Sequence, residues 1–234
     1  MDSTTTDKTR IRDAATVIVL RDRTTAPKVL MGQRGDKAAF MPNKFVFPGG
    51  AVDAADGDVP LARPLALPCV DRLREDCEDD RTHAIGAAAI RELWEETGLL
   101  LGLPGKWHGD APDEWQAFAE QGLLPDAAPL QFVFRAITPP GRPRRFDARF
   151  FLIDAGDIAS DLDDFSAACD ELSHLHWAAL DEVRALDLPF ITEVVLAEVA
   201  ARLDDPAPPK SVPFFRNDDE QSLFLRLRGQ PMPS

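Results

Sequence analysis

Nine residues constrain this chain more than any others: Arg91-Glu92-Leu93-Trp94-Glu95-Glu96-Thr97-Gly98-Leu99. On a helix turning about 100° per residue, Leu93, Trp94 and Thr97 lie within about 60° of Ile90, while Glu92, Glu95 and Glu96 lie about 140° to 240° away. One face therefore reads as core and the opposite face carries three carboxylates. Like charges at i,i+4 destabilise a helix by a few tenths of a kcal/mol. A hard divalent cation with oxygen ligands relieves that repulsion. A solvated acidic face is the competing reading. Two features weigh against it: Gly98 stands where a helix C-cap glycine belongs, and a Pro48-Gly49-Gly50 turn follows the short apolar run Phe45-Val46-Phe47 upstream.

With 234 residues, 44% of them hydrophobic, the chain is long enough to bury a sizeable core as one large domain. A net charge of −14 argues against a nucleic-acid-binding surface. Against that background Arg142, Arg144, Arg145 and Arg149 form a basic run, readable as a solvated loop backed by a strand or as an anion clamp. Cys69, Cys77 and Cys169 make no CxxC pair, and residues 1–12 are polar without an apolar leader. Both features predict reduced thiols and a cytoplasmic protein. No apolar run approaches the ~20 residues that span a bilayer, and Pro231-Met232-Pro233-Ser234 is not a peroxisomal address.

Along the chain, strands are predicted at 14–20, 28–34, 45–47, 131–137, 148–154, 175–179 and 223–227. Helices are predicted at 70–80, 84–97, 113–121, 181–186 and 192–203. Residues 204–213 hold four prolines and read as a linker. The irregular alternation indicates an α/β fold without a simple βαβ repeat. No Walker or dinucleotide-binding loop is present.

At this point the chain resembles the Nudix hydrolases. Their signature is a glycine, five residues, a glutamate, seven residues, then Arg-Glu-apolar-x-Glu-Glu-x-Gly-apolar. Its second half is complete from Arg91 to Leu99, and its first half is Gly50 to Asp56, with Asp56 in the glutamate's place. About 27 additional residues separate Asp56 from Arg91. An insertion inside the signature marks the branch containing the peroxisomal coenzyme A diphosphatase of mammals and its bacterial relatives. Phe40-Met41-Pro42, the stretch Phe45 to Asp56, and the segment from Thr138 through Phe146 to Phe151 are similar to that branch. The resemblance runs from about Ala14 to Leu196.

It implies an α/β/α sandwich with a mixed sheet: a domain over 1–203, with residues 57–83 inserted within the signature, and a proline-rich linker and C-terminal extension over 204–234. It also implies Mg²⁺ or Mn²⁺, with Glu92, Glu95, Glu96 and the Gly50 carbonyl as ligands. Arg91 is the orienting residue and Glu92 or Glu96 the general base. Asp170 and Glu171 are loop alternatives for the base that read better as plain surface acids, and His174 and His176 read as structural. The coenzyme A signature matches in part, keeping Arg34 and Phe47 to Gly50 but carrying Ala39 and Asn43 where an arginine and a glycine are expected. Arg34, Arg142, Arg144 and Arg145 are the expected anion contacts. Phe146 or Phe40 is the expected surface for stacking an adenine.

The function implied is metal-dependent hydrolysis of a diphosphate linkage in a small nucleoside diphosphate derivative, with coenzyme A or acyl-coenzyme A foremost. ADP-ribose, NADH and nucleotide sugars are alternatives within the enzyme class. A catalytically silent fold serving as ligand sensor or binding module is the alternative outside it. Neither nucleic acid nor membrane is an expected partner, and the oligomeric state is left open, a homodimer included.

Overall fold

The structure is a computed structural model that describes residues 10–36, 38, 41–77, 80–217 and 221–229. Phe40 and Ala39 lie outside the described residues, as do residues 1–9 and 230–234. Strands β1 (Ile11–Arg21) and β2 (Lys28–Arg34) are followed by β3 (Phe45–Val46) and β4 (Gly49–Ala51). A 3-10 turn (Ala54–Asp58) and helix α1 (Leu67–Arg74) lead to the long helix α2 (Thr82–Thr97). Strands β5 (Gly102–Pro104) and β6 (Leu123–Pro125) form a ribbon. Between them a 3-10 turn (Asp113–Trp115) runs into the short helix α3 (Gln116–Ala119). Strands β7 (Gln131–Ile137), β8 (Arg145–Asp154) and β9 (Leu172–Ala179), helix α4 (Phe190–Ala200), and strands β10 (Val212–Asn217) and β11 (Ser222–Leu227) follow.

The main sheet runs β11-β10-β7-β8-β1-β2-β3, with β4 also paired to β1 and β9 to β2. It is mixed: β1 lies parallel to β8 and β10 parallel to β7, while the remaining pairs are antiparallel. Because successive side chains of a strand point to opposite faces, β1 feeds two cores. Ala15, Val17 and Val19 pack with Ile85, Ala88, Ile90 and Leu93 of α2. Ile18 and Leu20 pack with Val195, Leu196 and Val199 of α4. The result is the expected α/β/α sandwich. Among the described residues no helix is long and apolar enough to cross a membrane.

Several elements differ from the sequence reading: β5 and β6 were not predicted, the glycines of the Pro48-Gly49-Gly50 turn enter β4, and the helix expected at 113–121 is a 3-10 turn followed by a four-residue helix. The helix expected at 181–186 is only a 3-10 turn (Val183–Ala185). Pro189 disfavours helical backbone just before it, and the chain there is tied to the start of β3 by Phe45 N–H donating to the Asp187 carbonyl and by the Lys44–Asp187 ion pair. The stretch beyond residue 204, expected as linker and extension, places β10 and β11 in the main sheet, with Val212, Phe214 and Leu227 in the core.

The run of arginines divides at the start of β8. In β8, Arg145, Asp147 and Arg149 point inward, whereas Phe146 and Ala148 are only partly buried. Arg145 donates to the carbonyls of Thr138 and Asn217. Arg135 of β7 clamps Asp147 at 2.9 and 2.6 Å and donates to the carbonyls of Glu75 and Asp76 just past α1. Arg149 pairs with Asp147 and Asp13. This buried network fastens the residues after α1 to the sheet, while Cys69 and Leu73 of α1 enter the core.

Breaking a buried ion pair from one side costs about 3–5 kcal/mol, because it strands the other charge. Asp147→Ala leaves Arg135 and Arg149 with unbalanced buried charge. Its expected loss in urea unfolding lies in that range; a loss below about 1 kcal/mol would show the network to be dispensable.

Candidate active site

Helix α2 ends as its sequence dictates. Gly98 takes φ 75°, and its N–H donates to the Trp94 carbonyl. The carboxylate face, however, is largely covered. It lies against β4 and the 3-10 turn after it, with Glu92 and Glu96 buried and Glu95 partly exposed. Glycine is required there by space: a Cβ on Gly50 would collide with the Glu92 carboxylate, and one on Gly49 would come within 2.5 Å of the Ala15 carbonyl oxygen.

Arg91 organises the carboxylates and is itself almost fully buried. Its Nε donates to Asp56 Oδ1 at 3.0 Å and its Nη2 to Asp56 Oδ2 at 3.1 Å and the Ala51 carbonyl at 2.9 Å. Its Nη1 donates to Glu92 Oε1 at 2.9 Å and Glu95 Oε2 at 3.1 Å. Asp56, the departure from the family signature, is fully buried and serves as the arginine's bidentate partner. It also accepts hydrogen bonds from the Asp53 backbone N–H and the Trp115 indole. Burial works against the charge on Arg91, but the Asp56 hydrogen bonds and the fields of Glu92, Asp56 and Glu95 outweigh it and raise its pKa.

The three helix carboxylates have separate environments. Glu95 is the most exposed and is held by Arg91; burial raises its pKa. Glu92 is pushed up to about 7, chiefly by burial, with Arg91 opposing and Glu95 adding to the rise. Glu96 is 1% exposed and is raised well above the usual carboxylate range, by burial first and then by Glu92. One oxygen of Glu96 accepts the Gly49 backbone N–H at 2.7 Å. The other, Oε1, is buried without a hydrogen-bond partner among the described residues. Such an orphaned acceptor calls for a proton or a cation. Among the described residues no three His, Cys, Asp or Glu side chains are gathered as a ready-made metal site. The oxygens of Glu92 and Glu96 beside the Gly49-Gly50 backbone nonetheless suit a cation such as Mg²⁺, which takes one or two carboxylates and completes its shell with water and phosphate oxygens.

A cleft of about 410 Å³ opens beside Gly50, Ala51 and Glu92. Of the expected anion contacts, Arg34 and Arg144 line it, together with Phe146. Arg142 is exposed but not part of the lining, and Arg145 is turned into the sheet. Arg144 lies in the bend just before β8, whereas Arg145 is the first residue of that strand and faces inward. Asp170 and Glu171 also line the cleft, and Glu171 pairs with Arg34 at 3.4 Å. No described residue of the 57–83 segment does. His174 and His176 hydrogen-bond locally, to Ser173 and to the His174 carbonyl. Sequence reasoning missed Arg12, which lines the cleft and lies opposite Phe146 in the β1–β8 register. It also missed Asp53, which faces both Arg12 and Arg91.

The sequence and the fold are similar to those of known proteins. No family model matches the chain. Nudix hydrolase 7 of Caenorhabditis elegans is 29% identical over 176 residues, covering 70% of this chain and 50% of that protein. Acyl-coenzyme A diphosphatase NUDT19 of Gallus gallus is 29% identical over 179 residues, covering 53% of this chain and 47% of that protein. The chain thus spans about half the length of the curated relatives it matches. The crystal structure of a Nudix hydrolase from Alicyclobacillus acidocaldarius superimposes with a TM-score of 0.60 at 27% identity, covering 86% of this chain and 98% of that one. The chain is thus similar to Nudix hydrolases, an acyl-coenzyme A diphosphatase among them.

A carboxyl whose pKa is raised on folding contributes stability below its unfolded value, and that contribution is lost as pH rises through the folded value. For Glu92 the window runs from its ordinary 4.5 to about 7. In EDTA, the stability of the wild type relative to Glu92→Gln, which mimics the protonated form, is expected to fall across that window. Urea unfolding of both proteins at a series of pH values measures it; a pH-independent difference would place Glu92 in ordinary solvent.

Proposed function

We propose that the protein is a divalent-cation-dependent diphosphatase acting on a nucleoside diphosphate derivative, with coenzyme A or acyl-coenzyme A as its substrate. The observation that carries this reading is the buried Glu92–Glu96 pair, with its orphaned Glu96 Oε1, set against Gly49-Gly50 beside a cleft bearing Arg12, Arg34 and Arg144. The likeness to an acyl-coenzyme A diphosphatase supports the substrate. The three arginines suit the diphosphate and any further phosphate, and the face of Phe146 suits a base.

Glu92, Glu96 and the Gly50 carbonyl would hold Mg²⁺ or Mn²⁺, which when bound neutralises phosphate charge and acidifies water. The chain's own residues do the rest. Arg34 and Arg144 hold the diphosphate oxygens. Arg91 keeps Glu92 and Glu95 in place without touching substrate. A carboxylate oxygen of Glu92 or Glu96 takes a proton from the attacking water, whose oxygen bonds to phosphorus as the bridging P–O bond breaks. The products are two phosphate monoesters, one of them keeping the oxygen that bridged the two phosphorus atoms.

The deciding experiment incubates the protein with coenzyme A, acetyl-coenzyme A, ADP-ribose, NADH and a nucleotide sugar, each with Mg²⁺ and with EDTA. Hydrolysis of the coenzyme A compounds in Mg²⁺ alone is expected. Preference for another compound would correct the substrate, and no turnover of any would favour a binding module. Glu96→Gln removes a charge and keeps the shape, so kcat is expected to drop more than about 100-fold with the fold intact; near-normal kcat at saturating Mg²⁺ would remove Glu96 from the cation site.

Arg144→Ala is expected to raise KM about 10-fold at little cost to stability, the scale of one charge-assisted hydrogen bond. Arg145→Ala is expected to do the reverse, lowering the urea midpoint with KM unchanged. A KM effect at position 145 rather than 144 would contradict the assignment of Arg144 to the cleft and Arg145 to the sheet.

A further inference from the structure

Trp115 sits in the 3-10 turn between β5 and β6, far along the chain from the signature helix, and is fully buried. It packs edge-on against Phe118 with ring centres 5.5 Å apart, and Phe118 in turn meets Trp94 of α2 at 6.2 Å. A buried indole N–H needs an acceptor. Trp107 and Trp177 use backbone carbonyls, of Leu123 and Leu162. Trp115 instead donates to a side chain, Asp56 Oδ1, at 3.2 Å. That same oxygen accepts Arg91 Nε at 3.0 Å. Asp56 Oδ2 takes Arg91 Nη2 and the Asp53 N–H, so the buried carboxylate has four donors and its position is fully determined. Arg91 Nη1 then holds Glu92 Oε1 at 2.9 Å.

We propose that Trp115 is a positioning residue for the carboxylate pair: its indole N–H fixes Asp56, Asp56 fixes Arg91, and Arg91 fixes Glu92. An aspartate one methylene shorter than the family's glutamate is held where its oxygens still span the guanidinium. The indole approaches from outside the signature, so the segment between β5 and β6 becomes part of the support for the site. The inference rests on the reading that Glu92 and Glu96 hold a divalent cation.

The test reads cation affinity rather than turnover: titration of Mn²⁺ followed by electron paramagnetic resonance, with near-ultraviolet circular dichroism as the check on folding. Trp115→Phe keeps an aromatic ring and loses the donor. Its expected Kd for Mn²⁺ is about 10- to 100-fold weaker than wild type, the range for residues that orient metal ligands. Phe118→Leu perturbs the same aromatic cluster without touching Asp56 and is expected to leave Kd unchanged. Trp115→His keeps a ring N–H with less apolar volume and is expected to bind Mn²⁺ more tightly than Trp115→Phe. A packing role gives the opposite order, since Phe fills more of the space. Wild-type affinity in Trp115→Phe, equal weakening in Phe118→Leu, or a His variant weaker than the Phe variant would each overturn the proposal. Should Trp115→Phe not fold, Trp115→His is compared with Trp115→Leu, which has no ring N–H: weaker Mn²⁺ binding in the Leu variant by about 10-fold or more supports it, and a smaller difference or the reverse order overturns it. Glu96→Gln separates the two levels. If it loses Mn²⁺ binding while Trp115→Phe retains it, only the positioning role fails. If Glu96→Gln binds as wild type does, the cation-site reading fails and takes this inference with it.

Discussion

One buried guanidinium governs the site. Arg91 gathers Asp56, Glu92 and Glu95 around a single positive charge, with the Ala51 carbonyl on its remaining donor. Burying charge costs several kcal/mol per ion unless geometry and hydrogen bonding compensate. The bidentate pair with Asp56 supplies that compensation. Asp56 also ties the turn after β4 to α2, which brings Gly50 against Glu92. Glu96 is not bound by the arginine and, among the described residues, has only the Gly49 N–H as a donor. The balance of charge is therefore uneven along the helix: settled around Arg91, and incomplete around Glu96, on the side where the proposed cation would lie.

A second ionic network has a structural task. Arg135, Asp147 and Arg149 with Asp13 hold the residues after α1 against the sheet. Glu75 accepts the backbone N–H groups of Arg228 and Gly229, linking the same point to the end of the C-terminal hairpin. The 57–83 segment is thus integrated with the core. Val59 and Leu65 are buried, and Arg63 bridges to Asp126. Val59, Leu65, Cys69 and Leu73 join the core shared with α2, and none of the segment's described residues lines the cleft.

What the sequence made legible follows from periodicity and spacing. Helix α2, the glycine at its C-cap, β2 and β7 lie where apolar patterning put them, because long periodic segments are packed along their whole length. Helical spacing put Glu92, Glu95 and Glu96 on one face, but the burial of that face was not legible, since the wall opposite is built from two glycines with no apolar signal of their own. Arg144 and Arg145 are adjacent, equally basic and oppositely directed. Only the start of β8 separates them: its pairing with β1 begins at Arg145 and leaves Arg144 in the bend before it. Trp115 falls in the stretch predicted as a helix over 113–121, which is a 3-10 turn followed by a four-residue helix. The link from Trp115 to Asp56 spans 59 positions and leaves no trace in local pattern. Strand β10 was hidden by Pro213, since proline lowers a strand signal; β10 lies between β11 and β7, and its pairing with β7 begins only at Phe214.

The most direct test of the account is anomalous diffraction from crystals soaked in Mn²⁺. A peak bounded by the carboxylates of Glu92 and Glu96 and the carbonyl of Gly50, with Arg91 still bound to Asp56, is the expected result. A peak elsewhere, for instance at Asp126 and Asp157, or a cation that displaces Arg91 from Asp56, would contradict it.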